Sequence, residues 1–148
     1  MIEINEMNIS FLSKSINESF ARNVVASFLL QLDPTITELA DIKTAVSEAV
    51  TNSIVHGYGD QNGIVYINAK IFDNGKVIIK VKDKGCGIDN IEQAMEPLFT
   101  TGIERAGLGF AVMQSLMDNV KVQSKLNKGT TVILEKNIIR RYYNDDKQ

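Results

Sequence analysis

The sequence predicts a two-layer α/β sandwich, with a mixed, mostly antiparallel sheet and helices on one face. Two segments of helical periodicity come first. A pair of β-rich runs joined by a tight turn follows, and a third helix precedes two final strands. Residues 7–12 alternate weakly and are read as an opening strand. Over residues 16–32, Phe20, Val24, Phe28 and Leu32 recur at helical spacing. Asp33-Pro34 ends that segment, because proline disfavours helical geometry in the residue before it.

The second helix is expected over residues 37–55, with Leu39, Ile42, Val46, Ala49 and Ser53 as its core stripe. Residues 57–63 are a loop by composition. Two strand-like runs, 64–72 and 76–82, flank Asp73-Asn74-Gly75, whose Asn and Gly tolerate positive φ; the pair reads as a hairpin. Gly85 and Gly87 then break the chain into a loop, and residues 89–105 read as a connector. A third helix is expected from about Gly107, carrying Val112, Met113, Leu116 and Met117. The closing strands, 120–124 and 130–136, enclose Asn127-Lys128-Gly129.

At 148 residues the chain is read as one domain over 1–140 with a short polar tail over 141–148. No run approaches the roughly 18 consecutive apolar residues that a membrane span requires. The start, Met1-Ile2-Glu3-Ile4-Asn5-Glu6, lacks the basic and apolar stretches of a secretory signal. Cys86 is the only cysteine, which excludes an internal disulfide. The expected compartment is therefore the cytoplasm, with no membrane partner. A formal net charge of −2 disfavours a direct nucleic-acid partner, whose phosphates call for a basic face. His56 is the sole histidine, so a multi-histidine metal centre is excluded.

Four short motifs carry possible chemistry. Glu48 and Asn52 lie four residues apart on the second helix, hence one turn apart on one face. A carboxylate beside an amide oxygen suits a hard cation with a phosphate, the carboxylate being free to take a proton; a solvated helix face is the alternative. Asp83-Lys84-Gly85-Cys86-Gly87-Ile88 follows a strand. Its aspartate can accept from an exocyclic amine such as adenine's, and its glycines admit a close ligand, unless the run is a plain strand-ending turn. Gly107-Leu108-Gly109-Phe110 leads into a helix whose free amides form an anion site, a weak signal alone and not a P-loop. Gly129-Thr130-Thr131, entering a strand, is unremarkable by itself.

In this order and spacing the four together resemble the boxes of the Bergerat ATP-binding superfamily, which includes gyrase and the histidine kinases. The stretch from Ser47-Glu48-Ala49-Val50-Thr51-Asn52 to His56-Gly57-Tyr58, with Glu96-Pro97-Leu98-Phe99-Thr100-Thr101, is similar to the anti-sigma-factor serine kinases. Ser19-Phe20-Ala21-Arg22 through Gln31-Leu32-Asp33-Pro34 resembles the sporulation branch of that family. The likeness covers nearly the whole chain except the tail. One departure is the connector from Thr101 to Gly107, which is shorter than the family form in the region resembling the ATP lid.

The resemblance implies the roles that follow. Asn52 would bind Mg²⁺ together with ATP phosphate oxygens, and Glu48 would be general base toward a serine hydroxyl. Asp83 would accept the adenine amine, with Thr131 supporting that contact. Gly85, Gly87 and Ile88 would line the base. Gly107, Leu108 and Gly109 would cradle phosphates, helped by Thr100 and Thr101. Arg22 would contact a protein partner. The cofactors would be ATP or ADP with Mg²⁺. The partners would be a sigma factor of the sigma-F type, an anti-anti-sigma protein as phosphorylation substrate, and a second copy in a homodimer. A relative controlling a stress-response sigma factor carries the same motifs. The detached ATPase domain of a histidine kinase fits less well, because no further helical hairpin bears a phosphoaccepting histidine. A non-catalytic ATP-gated binding module would not require Glu48.

Overall fold

The computed structural model describes residues 1–95 and 104–139. Its strands are β1 (Glu3–Leu12), β2 (Ile64–Phe72), β3 (Lys76–Asp83), β4 (Asn119–Lys125) and β5 (Gly129–Asn137). They form a five-stranded sheet in the order β1-β2-β3-β5-β4. Every one of these pairings is antiparallel, so the sheet is not mixed among the described residues. The helices are α1 (Ile16–Leu29), α2 (Ile36–Thr51), the single turn α3 (Ile91–Ala94) and α4 (Glu104–Leu116).

Strand alternation generates the core. Val65, Ile67, Ala69 and Ile71 of β2 are buried, as are Val77, Ile79 and Val81 of β3, while the residues between them face outward. This apolar face packs against Ile42, Val46, Ala49 and Val50 of α2, with Phe110 and Met113 of α4 in the same cluster. The β2–β3 turn closes with Gly75 at φ 89°, a left-handed conformation that glycine adopts without strain.

The α1 stripe has the predicted spacing but a different phase. Ala21, Val25 and Leu29 are fully buried, whereas Phe20 is 49% exposed. Two series with the same four-residue step run side by side here, and packing of α1 on α2 selects the smaller one. Phe20 instead meets Phe11 edge-to-face, with ring centroids 6.2 Å apart. A 3-10 turn, Leu30–Leu32, then carries the chain to Asp33 at φ 52°.

Helix α2 begins with a full capping box. The Glu38 N–H donates to Thr35 Oγ1 at 3.0 Å, and the Thr35 N–H donates to Glu38 Oε1 at 2.8 Å. Such a cap contributes about 0.5–2 kcal/mol. At its other end α2 does not stop at residue 55. It widens into a π-helical turn over Asn52–Tyr58, taking in the first part of the expected loop. Glycine and proline mark chain reversals well, but nothing in composition distinguishes a π turn from an α-helix end. Likewise β1 starts at Glu3, ahead of the weak alternation that marked it, because β2 supplies a paired ladder for the whole stretch.

Adjacent leucines test the α1 phase. Leu29→Ala, at 0% exposure, is expected to lower unfolding free energy by about 2–5 kcal/mol. Leu30→Ala, at 59% exposure, should stay within about 0.5–1 kcal/mol of the parent by chemical denaturation.

Candidate nucleotide site

The site forms where the end of α2 meets the end of β3. The π turn brings Gly57 against the Asp83 carboxyl, so closely that a Cβ on Gly57 would lie 2.9 Å from its Oδ1. The Cys86 N–H donates to the Gly57 carbonyl at 2.9 Å. Gly85 passes over the Gly57 backbone at a distance no Cβ would permit, and Gly87, at φ 74°, passes the Lys125 carbonyl in the same way. The two glycines of the loop are therefore required by backbone-to-backbone packing. Ile88 donates its N–H to Ser124 Oγ at 2.7 Å and lines the resulting cavity.

That cavity measures ≈ 530 Å³ and is bounded by Asn52, Ser53, Asp83, Ile88, Phe110 and Thr130, with Cys86 and His56 at its rim. Its size and mixed apolar and polar lining suit a small ligand of nucleotide dimensions. Asp83 is 3% exposed at its floor. Burial pushes its carboxyl above the ordinary aspartate value, against hydrogen bonds from the Gly85 N–H, the Ser53 hydroxyl and the Thr130 backbone that pull it down. The Gly85 bond is 2.9 Å. A buried, partly satisfied acceptor at a strand end is what an exocyclic amine requires.

Asn52 lines this cavity, and Glu48, one helical turn before it, lines a separate groove between α1 and α2. A Cβ on Gly109 would stand 3.0 Å from Glu48 Oε2 and 3.5 Å from both amide atoms of Asn52. Both side chains thus face α4 at this glycine. Asn52 Nδ2 is buried without a hydrogen-bond partner among the described residues, so the amide has unused hydrogen-bonding capacity. No group of three or more His, Cys, Asp or Glu capable of holding a metal occurs among the described residues. A cation beside Asn52 would therefore draw on its Oδ1, on ligand phosphates and on water, which is the manner of Mg²⁺.

Two expectations need correction. Thr131 pairs with Lys82 on the open face of the sheet, away from the cavity. Its neighbour Thr130 stands opposite Asp83, is buried, and shares a 2.7 Å hydrogen bond with Ser124 Oγ. With a side-chain period of two, an error of one residue reverses the face. The alternation of Thr130, Val132 and Leu134 is the signal that would have identified it. Second, α4 opens at Glu104, before the glycine pair. Leu108 and Gly109 consequently lie beyond the helix's free N-terminal amides, with Gly107 at their limit. Gly109 here accommodates the Glu48–Asn52 pair, and Leu108 is half exposed. Thr100 and Thr101 lie outside the described residues, as does the tail 141–148. Arg22 sits on α1, away from the cavity, and donates to Glu18 at 3.1 Å. Ser53 and Gly57 were not expected in the site; the π turn brings both to Asp83.

The arrangement is that of a histidine kinase-like ATPase domain, and the family model with that description matches residues 13–136. Curated relatives named anti-sigma F factor cover nearly the entire chain. That of Geobacillus sp. (strain WCH70) is 57% identical over 92% of this chain and 94% of its own length. The relative in Caldanaerobacter subterraneus subsp. tengcongensis is 59% identical over 92% and 96%, and that in Clostridium acetobutylicum is 56% identical over 89% and 94%. The chain belongs to the histidine kinase-like ATPase family and, within it, to the group of these anti-sigma F factors. Among solved structures, the RsbU and RsbW domains of a Mycobacterium tuberculosis protein superpose with a TM-score of 0.70 at 21% identity, over 93% of this chain and 33% of that one. The histidine kinase domain of a blue-light activated kinase from Erythrobacter litoralis gives 0.55 at 20%, over 82% and 60%. Both likenesses concern the fold. No helix among the described residues is long and apolar enough to cross a membrane.

Replacing Asp83 separates binding from stability. Its raised carboxyl holds a proton more tightly folded than unfolded, so its contribution to stability is full below the ordinary aspartate value and declines as pH rises through the folded-state value. Asp83→Asn is expected to remove that decline in thermal unfolding across pH. It should also weaken adenine-nucleotide binding by about 10- to 150-fold in fluorescence titration, the worth of a hydrogen bond to a charged group. Thr130→Val should weaken nucleotide binding in the same assay, and Thr131→Val should leave it unaltered.

Proposed function

We propose that this protein is a serine kinase that transfers the γ-phosphoryl group of ATP to an anti-anti-sigma protein, and that it binds and inhibits a sigma factor of the sigma-F type. The observation carrying this reading is the placement of Glu48. Its carboxylate and the Asn52 amide both face Gly109, and while Asn52 lines the nucleotide cavity, Glu48 borders a separate groove between α1 and α2. A base so placed reaches an acceptor hydroxyl arriving from outside while the nucleotide occupies the cavity.

Asp83, with Ser53 and Thr130 behind it, orients the adenine. Asn52 would offer Oδ1 to Mg²⁺ and Nδ2, which has no partner among the described residues, to a phosphate oxygen. The metal would neutralise charge on the phosphates when bound. Glu48 takes the serine proton as the serine oxygen forms its bond to the γ-phosphorus, and the bond to the bridging oxygen breaks to leave ADP. Such a reaction draws mainly on positioning and charge neutralisation, which is what these residues supply. Arg22 serves as a contact for the protein partner, the working form is a homodimer, and the setting is the cytoplasm. The names of the close relatives support the sigma-F assignment over a stress-response sigma factor.

Incubation with Mg²⁺, γ-labelled ATP and the anti-anti-sigma protein is expected to label a serine of that protein. Glu48→Gln should lower the rate by about 10²–10⁴-fold with ATP affinity retained. Label on a histidine would move the protein to the histidine-kinase branch. Absence of label despite ATP binding would leave a nucleotide-gated sigma-binding module.

A further inference from the structure

The groove bordering Glu48 measures ≈ 460 Å³ and runs between α1 and α2. Its α2 wall is the row Leu39, Lys43 and Ser47 at four-residue steps, with Glu48 beside Ser47 at one end and Ile36 at the other, 90% exposed. On the α1 side stand Glu18 and Arg22. These two already satisfy each other: Arg22 Nη1 donates to Glu18 Oε1 at 3.1 Å, and Glu18 Oε2 accepts from the Thr51 hydroxyl at 3.2 Å. Lys43 differs, being partly buried with no acidic partner among the described residues. The neighbouring Ser47 hydroxyl is likewise buried with no hydrogen-bond partner among the described residues. Partly desolvated groups of this kind favour a ligand that completes them.

We propose that this groove receives the acceptor segment of the protein substrate, and that Lys43 selects an acidic residue close to the acceptor serine. The inference rests on the kinase reading given above. Helix geometry sets the spacing. Lys43 precedes Glu48 by five positions, about 7.5 Å of helix rise at about 1.5 Å per residue. An extended chain advances about 3.3 Å per residue, so the acid lies about two or three residues from the serine. Its carboxylate pairs with the Lys43 ammonium, the Ser47 hydroxyl bonds the segment's backbone, and an apolar side chain farther along covers Leu39 and Ile36. The occupant is a protein segment and not a second nucleotide, because the groove joins one cation, unpaired among the described residues, to an apolar stretch, Leu39 and Ile36, for which a nucleotide has no matching group.

The test is steady-state kinetics with the same anti-anti-sigma protein as acceptor. Lys43→Glu is expected to raise KM for that protein by about tenfold or more, with kcat and KM for ATP within about twofold of the parent. Lys43→Arg should restore the parent KM, and a lysine in place of the substrate's acid should recover activity with the Lys43→Glu enzyme. An unchanged protein KM in an active Lys43→Glu enzyme would overturn the groove assignment and leave the kinase reading intact. So would an equal loss of ATP affinity, which indicates a structural role for Lys43. A wild-type enzyme that labels no serine at all fails at the earlier step and removes both.

Discussion

The close contact between the π turn and the loop after β3 is the constraint on which the site depends. Gly57 lies against the Asp83 carboxyl and under Gly85, and the Cys86 N–H closes the contact at 2.9 Å. Tyr58 fastens its far end: the hydroxyl donates to the Ile64 carbonyl at 2.6 Å and accepts from the Lys84 N–H at 2.7 Å. One aromatic side chain therefore ties the helix layer to the start of β2 and to the end of β3. No side chain fits between the two backbones, so the relative position of Asn52 and Asp83 is set by main-chain geometry. The two side chains thus line the cavity at a fixed separation.

Asp83 illustrates a cost that the fold accepts for recognition. A buried carboxyl with a raised proton affinity contributes less to stability at neutral pH than a neutral isostere would. Its three hydrogen bonds from Gly85, Ser53 and Thr130 offset only part of the desolvation. What remains is an acceptor that water does not satisfy, and so one that discriminates strongly in favour of a donor of the right shape. Asn52 shows the same incompleteness at the opposite end.

Much of this was legible in the residues. Helical and strand periods placed α1, α2, β2, β3 and β5, and the Asp-Asn-Gly turn marked the hairpin between β2 and β3. Glu48, Asn52 and Asp83 were singled out by their order and spacing; the structure puts Asn52 and Asp83 on one cavity and Glu48 on the groove beside it. Three things were not legible, each for a stated reason. The α1 phase was ambiguous because Phe20/Val24/Phe28 and Ala21/Val25/Leu29 share one spacing, and only the packing partner distinguishes them. Thr130 and Thr131 are chemically alike, so face assignment needed the strand register. The start of α4 at Glu104 has no marker in composition, and the π turn after Thr51 is tied to contacts of Gly57 and Tyr58 that only the folded chain makes.

The strand order has a consequence for how the protein comes into being on the ribosome. β5 is the last strand in sequence, yet it is inserted between β3 and β4. Until it emerges, β3 has an unpaired edge and Asp83 lacks the Thr130 backbone that faces it in the finished sheet. The nascent chain can assemble β1, β2, β3 and the helices in turn, but the cavity floor stays incomplete until residue 130 is in place. Completion of the cavity thus waits for the last strand, and a product truncated before residue 130 carries the buried carboxylate without the neighbour that faces it.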